Sequence, residues 1–555
     1  MLHNLRRIPF FSELPDTELR AISEQLRRER YLKGHAIFSE GEEGDALYLI
    51  ESGQVRVVAG PPSDEKILAY LGPGNFFGEL ALLLDEPRSA TVRVVIDCEV
   101  WVLRKHDLQE LLNDHPIIAL QMSRELSRRL VETSRSPTQV EEYNLVAVVG
   151  THAGGLAMSL ARQTGQRVVL YDMGGLALSR AEEKAVHAAG IMVVDSQSTT
   201  YLQRGGLAET LGYLAEKFDW VLMSGSLQKR EITSKAMELA DLGVLLDCEP
   251  EPWIVQSSRG KLWQSSTDQL SLDHLARRIS RRTVGLALSS GGARGIAHIG
   301  VLRVLEEANI PIDMIAGTSA GALFGSLYAA GLRFDQIAEF ALDMKEKWQL
   351  RGGLWDIQIP PKSGLFWGRK VTRYFDQVLG GRTFAELKVP MYIVAADILS
   401  GEEVVFHEGP VAPAIRASIS MVVIAAPAQV GDRLLIDGGA VNPLPASVLT
   451  QHGANIVIGS SVIAGFQEEA RLKGSASRSR DLNILDVVTR HMAIMEREII
   501  KTRMGPVNVL IRPRIETFST MDYDKARELI RVGEEAAREM LPKVQALIAP
   551  QASPS

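Results

Sequence analysis

Five residues limit the architecture of this 555-residue chain more than any others: Gly317-Thr318-Ser319-Ala320-Gly321. Ahead of them, Ile312-Asp313-Met314-Ile315-Ala316 has the apolar character of a strand. Behind them, Leu323-Phe324 with Gly325, Ser326, Ala329 and Ala330 suits a tightly packed helix. A strand that turns directly into a helix crowds its own corner, and glycines two residues to either side of the serine remove side chains that would collide there. The corner leaves the Ser319 hydroxyl exposed at the helix start. In isolation the pattern also describes an ordinary glycine turn, so the chemistry has to come from what accompanies it.

Two further segments accompany it. Ser289-Ser290-Gly291-Gly292-Ala293-Arg294-Gly295 follows a strand-like run, Val284 to Leu288, and opens another helix. Amides of such a loop, reinforced by the helix dipole, can face a developing oxyanion. The same loop could instead hold a phosphate, but no Lys-Ser/Thr pair follows it. Arg294 is read as an anchor for the loop. The second segment, Leu434-Leu435-Ile436-Asp437-Gly438-Gly439, ends a strand on a carboxylate able to take the Ser319 proton. A serine hydroxyl is a poor nucleophile without such a base. Asp437 also suits a plain turn cap, and Asp397 occupies a similar strand end. A histidine base would have to be His298, His407, His452 or His491, none in a telling context; His298 reads as a helix-packing residue.

The rest of the chain divides by pattern. Its length calls for several domains. Residues 8–135 begin with short β-runs, Leu47–Ile50, Val55–Val58 and Val92–Val95, punctuated by glycines, and end helically from His106 to Arg135. Ser134–Thr138 reads as a linker. Residues 143–275 alternate strands (Leu145–Val149, Arg167–Tyr171, Ile191–Val194, Trp220–Met223, Leu242–Leu246) with helices, the rhythm of a parallel sheet. Arg277-Arg278 and Arg281-Arg282 read as a solvated boundary. Residues 283–548 alternate again, ending mainly helical. A net charge of −7 gives no support to a nucleic-acid partner. Two distant cysteines, Cys98 and Cys248, and no signal peptide suit a reducing, cytoplasmic location, peripheral on the inner face of a membrane if lipid is the substrate. The helical stretch near 106–135 leaves a homodimer open.

In the first segment, Phe77-Gly78-Glu79-Leu80-Ala81 precedes Pro87-Arg88-Ser89-Ala90-Thr91. An arginine with backbone amides at a short helix can hold one phosphate, and a carboxylate can accept from a ribose hydroxyl. A surface Arg and Glu on a β-turn is the plainer alternative.

The three ordered motifs of 283–545 resemble the patatin-like phospholipases, especially the neuropathy target esterase group. That resemblance implies an α/β domain with a Ser-Asp dyad, Ser319 as nucleophile and Asp437 as base, and an oxyanion hole around Gly291, Gly292, Ala293 and Arg294. The implied reaction is hydrolysis of phospholipid or lysophospholipid acyl esters without metal or catalytic cofactor, with a membrane surface as a possible partner. After Arg416-Ala417-Ser418 the chain runs into Met421–Pro427 where the family often has an Ile-Pro-Gly-like turn, a region expected to line the acyl pocket; Trp355, Phe366 and Trp367 are candidates for an acyl wall or a membrane-facing lid. Residues 8–135 resemble the cyclic-nucleotide-binding β-roll, which implies cAMP or cGMP as regulatory ligand at Gly78, Glu79, Leu80, Arg88 and Ser89, with Glu79 on the ribose and Arg88 on the phosphate. The middle segment looks similar to a partition-ATPase-type P-loop fold without its phosphate-binding lysine, hence a degenerate spacer relaying the sensor state. The competing readings are a non-catalytic nucleotide receptor on a lipid-binding scaffold, and an acyltransferase.

Overall fold

The structure, a computed structural model, describes residues 26–59, 66–84, 86–114, 144–174, 178–195, 207–347, 356–357, 363–463, 484–503 and 505–550, together with Phe11, Leu19, Ile22, Ser23 and Ile118. The expected linker Ser134–Thr138, most of the helical stretch after Asp114, and Trp355 lie outside the described residues. The chain folds as two compact units, Met1–Ser280 with Pro550–Ser555, and Arg281–Ala549. The expected first and second segments thus share one unit.

That first unit holds two sheets. Six strands, β1 (Arg27–Tyr31), β2 (Ala36–Phe38), β3 (Ala46–Ala59), β4 (Lys66–Leu71), β5 (Phe76–Phe77) and β6 (Thr91–Arg104), form an antiparallel roll centred on the β3–β6 pair. The runs Leu47–Ile50 and Val55–Val58 are one strand: Gly53, at φ 86°, carries the chain through a register shift instead of ending it. A short helix, Glu79–Leu84, follows β5, and Lys105–Asp114 follows β6. The second sheet is wholly parallel, in the order β12-β11-β7-β10-β8-β9, built from β7 (Leu145–Val149), β8 (Val168–Asp172), β9 (Met192–Asp195), β10 (Trp220–Gly225), β11 (Leu242–Leu246) and β12 (Leu262–Ser265). Between β7 and the helix Ala153–Thr164 only Gly150, Thr151 and His152 intervene, and Gly154 and Gly155 lie inside that helix against Leu178 and Leu272. Those two glycines serve packing.

Roll and sheet share apolar contacts. Val95 and Ile96 of β6 belong to the same buried cluster as Leu211, Leu214 and Met223. Beside this contact, Lys33 Nζ donates to the Ala240 carbonyl at 3.0 Å and to that of Leu239. Burial lowers the Lys33 pKa to about 8, with Asp241 pulling it back up. The expected boundary falls here, between Ser280 and Arg281; Arg277 and Arg278 form the last turn of the helix Gln269–Ile279 just before it, where cations favour the negative helix end, and Arg278 stacks on Trp263 at 3.9 Å.

The second unit is an eight-stranded sheet, order β17-β18-β15-β14-β13-β19-β20 with β16 paired to β15. Its strands are β13 (Val284–Leu288), β14 (Met314–Thr318), β15 (Met391–Asp397), β16 (Glu403–Phe406), β17 (Ala428–Val430), β18 (Arg433–Asp437), β19 (Ile456–Ser460) and β20 (Val509–Ile511). The five neighbouring strands from β15 to β20 run parallel; β16 and β18 run opposite to β15, and β17, antiparallel to β18, returns to its direction. The parallel strands are apolar on both faces, as a sheet covered by helices requires. Arg282 donates to the carbonyls of Ile548 and Ala549, capping the long C-terminal helix Ala526–Ile548. Among the described residues, no helix is long and apolar enough to cross a membrane.

Candidate active site

Register brings the serine and the aspartate together. Thr318 lies beside Val394, and Ala395 lies opposite Asp437, so Ser319 and Asp437 flank the same end of β15 from its two sides. Ser319 begins the helix Ala320–Ala329 at φ 54° and ψ −115°, a backbone state that costs a residue with a side chain about 1–3 kcal/mol. The flanking glycines are sterically required. A Cβ on Gly321 would stand 2.2 Å from the Leu288 carbonyl oxygen, and one on Gly317 would stand 2.5 Å from Gly321 backbone atoms. The Ser319 amide donates to Ser418 Oγ at 2.8 Å, and that hydroxyl donates to the Val394 carbonyl at 2.6 Å. Ser418 therefore braces the strained corner.

Ser319 Oγ donates to Asp437 Oδ2 at 2.6 Å. Asp437 Oδ1 accepts from the Gly439 amide at 2.9 Å, and the Asp437 amide donates to the Ser420 carbonyl. The turn-capping and proton-accepting readings of Asp437 are thus compatible, one oxygen each. Burial raises its pKa to about 6, with the bonds from Ser319 and Gly439 limiting the rise. Asp397 is a turn cap, accepting from the Leu399 amide. The histidines are engaged elsewhere. His298 lies between Ser460 Oγ (2.8 Å) and the Ser289 carbonyl (3.0 Å), and burial lowers its pKa to about 4, so it is neutral. His407 and His452 pack with Tyr392, and His491 is exposed.

The glycine loop lies against this corner: a Cβ on Gly295 would stand 2.2 Å from Ala320 Cβ. Its amides have separate destinations. Ser289 donates to Ser460, Ser290 to Pro443 and Ala293 to Thr520. The expected role of the Ala293 amide in an oxyanion hole is therefore corrected: the short 3-10 turn Gly292–Ile296 docks on Thr520 and uses that donor. Arg294 is buried and donates Nε to the Phe518 carbonyl at 2.7 Å, an anchor for the loop. Gly291 and Gly292 lie between the anchored positions.

A residue with no sequence signal reaches the same place. Glu496, from the helix Ile484–Arg503, accepts from Ser290 Oγ at 2.8 Å. Burial, with Asp437 nearby, raises its pKa to about 8.

Beyond Ser420 the chain forms an apolar lip. Leu365 donates its amide to the carbonyls of Val423 and Ile424, and Phe366 bridges both Ile357 and Ala425. Phe366 is buried, whereas Ile357, Leu365, Trp367, Val422 and Val423 are exposed. Arg416 holds this lip from within, donating to the carbonyls of Trp367 and Ala426 at 2.8 Å and to Ser420 Oγ. Arg369, Lys370 and Arg373 are exposed on the helix Arg369–Leu379 that follows Trp367.

In the first unit, Arg88 is buried and turned inward. Its Nη1 donates to the Gly78 carbonyl at 2.7 Å and Nη2 to that of Ala46 at 2.9 Å, while the guanidinium lies 4.0 Å over the Phe38 ring. Glu79 is buried in the first turn of its helix and Ser89 is exposed. The Leu80 side chain lies outside the described residues. Arg88 and Glu79 are near enough for their charges to interact.

Comparison with known proteins agrees with this layout. Residues 286–450 match the family model described as patatin-like phospholipase, and residues 28–115 match the cyclic nucleotide-binding domain. An uncharacterised NTE family protein of Mycobacterium tuberculosis is 27% identical over 80% of this chain and 77% of its own length. A lysophospholipase of Aspergillus terreus is 22% identical over 92% of this chain, which spans 41% of that protein. The regulatory domain of Toxoplasma gondii PKA, solved with cAMP, is 29% identical over 20% of this chain and 42% of its own, with a TM-score of 0.19. The chain therefore carries a hydrolase domain that matches the patatin-like phospholipases, preceded by a domain that matches the cyclic nucleotide-binding domain.

Proposed function

We propose that this protein hydrolyses acyl esters of phospholipids or lysophospholipids through a Ser319–Asp437 dyad, under the control of a cyclic nucleotide. The observation that carries the reading is the 2.6 Å bond from Ser319 Oγ to a buried carboxylate at the strained strand–helix corner. Asp437 takes the Ser319 proton as Oγ bonds to the acyl carbonyl carbon. The amides of Gly291 and Gly292 receive the resulting oxyanion. Collapse breaks the ester bond, and the departing alkoxide takes the proton from Asp437. Water then adds to the acyl-serine with Asp437 again as base, releasing fatty acid and restoring Ser319.

Substrate reaches the site from a lipid surface. The exposed aliphatic and aromatic residues of the lip, with Arg369, Lys370 and Arg373 close in sequence to Trp367, have the chemistry of an interfacial anchor on anionic lipid. Trp367→Ala should weaken sedimentation with vesicles containing phosphatidylserine more than with phosphatidylcholine alone. Equal binding by wild type and variant in both would remove the anchor from this account.

Cyclic nucleotide binds the roll, its phosphate taking hydrogen bonds from Arg88 and its ribose hydroxyl donating to Glu79, and its binding changes the hydrolysis rate. The deciding experiment is hydrolysis of a lysophospholipid panel by wild type, Ser319→Ala and Arg88→Ala, with and without cAMP or cGMP. Turnover should vanish in Ser319→Ala, and Arg88→Ala should lose the nucleotide response alone. A wild-type rate insensitive to both nucleotides would leave the hydrolase and remove its control.

A further inference from the structure

The Glu496 carboxyl joins the two halves of the hydrolytic site, and the dyad mechanism above leaves it unused. On one side its Oε1 accepts from Ser290 Oγ at 2.8 Å, and the Ser290 amide is itself fixed on the Pro443 carbonyl. The next residue is Gly291, the first of the two amides assigned to the oxyanion. On the other side, Oε1 lies 2.2 Å from where a Cβ of Gly439 would stand, and Asp437 Oδ1 lies 3.2 Å from that same point. A side chain at Gly439 would displace the Glu496 carboxyl, and the Gly439 amide is bonded to Asp437 Oδ1.

Two charges from other elements face Glu496. Asp437, at the end of β18, is a negative neighbour. Arg294, in the 3-10 turn, is a positive one, and it is already anchored on Phe518. His298, behind the loop at Ser289, is neutral. On the Glu496 helix itself, Glu498 is directed to Lys501. Two ionised carboxylates this close, enclosed by protein, repel strongly, so one of them keeps its proton. Asp437 has donors on both oxygens, which favours its ionised form. Glu496 has the one bond from Ser290 and the like charge beside it, and its pKa of about 8 leaves it protonated at neutral pH.

We propose that Glu496 is a positioning residue of the hydrolase: as a neutral acid it ties Ser290 of the amide loop to the Asp437 turn, and its ionisation disables the site. An ionised Glu496 places a second negative charge beside both the base and the nascent oxyanion. The first effect raises the proton affinity of Asp437; the second opposes the tetrahedral intermediate. The second acts against turnover and, with Asp437 already ionised above about pH 6, it sets the sign: the rate falls as pH rises through the Glu496 pKa. The inference rests on the dyad reading above.

The test is the pH profile of kcat/KM for phenyl butyrate, a soluble ester with no ionising group, followed by pH-stat titration. Wild type should show a falling alkaline limb. Glu496→Gln, which keeps an oxygen for Ser290 but cannot ionise, should lose that limb, whatever its rate at the optimum. Ser290→Ala removes a bond that favours the ionised form, so its limb should move to higher pH. A Glu496→Gln profile with the wild-type alkaline limb overturns the proposal. If that variant does not fold, an alkaline limb unmoved in Ser290→Ala overturns it instead. Full activity in Ser319→Ala would mean that the dyad reading itself has failed, a distinct result.

Discussion

Each carboxylate oxygen of Asp437 has its own donor, and the pH dependence expected of the proposed base follows from this environment. A base must be ionised to accept the Ser319 proton, and burial has moved its pKa up to about 6. The value of kcat/KM should therefore decline as pH is lowered through about 6, where Asp437 becomes protonated and its oxygen can no longer accept. A rate–pH profile flat between about pH 5 and 7 would contradict this. Asp437→Asn should cost roughly 10³-fold or more in kcat, as losing the base of a coupled pair does elsewhere. Ser418→Ala should be milder. It leaves a buried Ser319 amide without its acceptor, with an expected stability loss of about 1–3 kcal/mol in urea denaturation. Ser319 and Asp437 are legible in the sequence because glycines mark the turns that present them. Ser418 and Glu496 are not, because their partners lie 99 and 206 residues away and no local pattern encodes such a meeting. The Ala293 amide looked suited to an oxyanion for the same reason: nothing near it in sequence announces Thr520.

At the scale of elements, the corner and the lip make opposite demands on the backbone. Gly321→Ala would push a methyl group into the Leu288 carbonyl of β13, so the helix Ala320–Ala329 must retreat from the sheet. We expect a stability loss of about 1–3 kcal/mol by urea denaturation, the usual size of an overpacking penalty. Val423 is the reverse case, a β-branched residue at φ 75° on an exposed loop. Val423→Gly should raise the melting temperature by relieving strain of about 1 kcal/mol or more while reducing vesicle binding. A variant unchanged in both would show the lip to be neither strained nor interfacial. Strands β13, β14 and β18 are readable as apolar runs, the first two because a sheet covered on both faces needs little else. Strands β16 and β17 went unread: they are three or four residues long and only partly buried. The roll was harder because a glycine in a strand interior looks like its end, and Gly53 instead keeps β3 going.

For the molecule as a whole, two neighbouring acids of the second unit tie stability to pH. Glu496 and Asp437 both hold protons in the fold that they release more readily when unfolded. Their stabilising contribution is therefore full below about pH 4 and is withdrawn as pH rises through about 6 and then about 8. The second unit should unfold at a lower temperature at pH 8.5 than in the same protein carrying Glu496→Gln, with the gap closing toward about pH 5; a constant gap would dissociate the two effects. The division of the chain was only partly legible. The sequence pattern suggests three segments, whereas the roll and the parallel sheet share one unit, through contacts of Val95, Ile96 and Lys33 that composition does not announce. This shared cluster bears on anyone wishing to study the nucleotide sensor alone. A recombinant fragment ending near Asp114 would bare two aliphatic side chains and strand an ammonium group whose acceptors had been cut away. Such a piece invites self-association, whereas one ending at Ser280 keeps those surfaces covered.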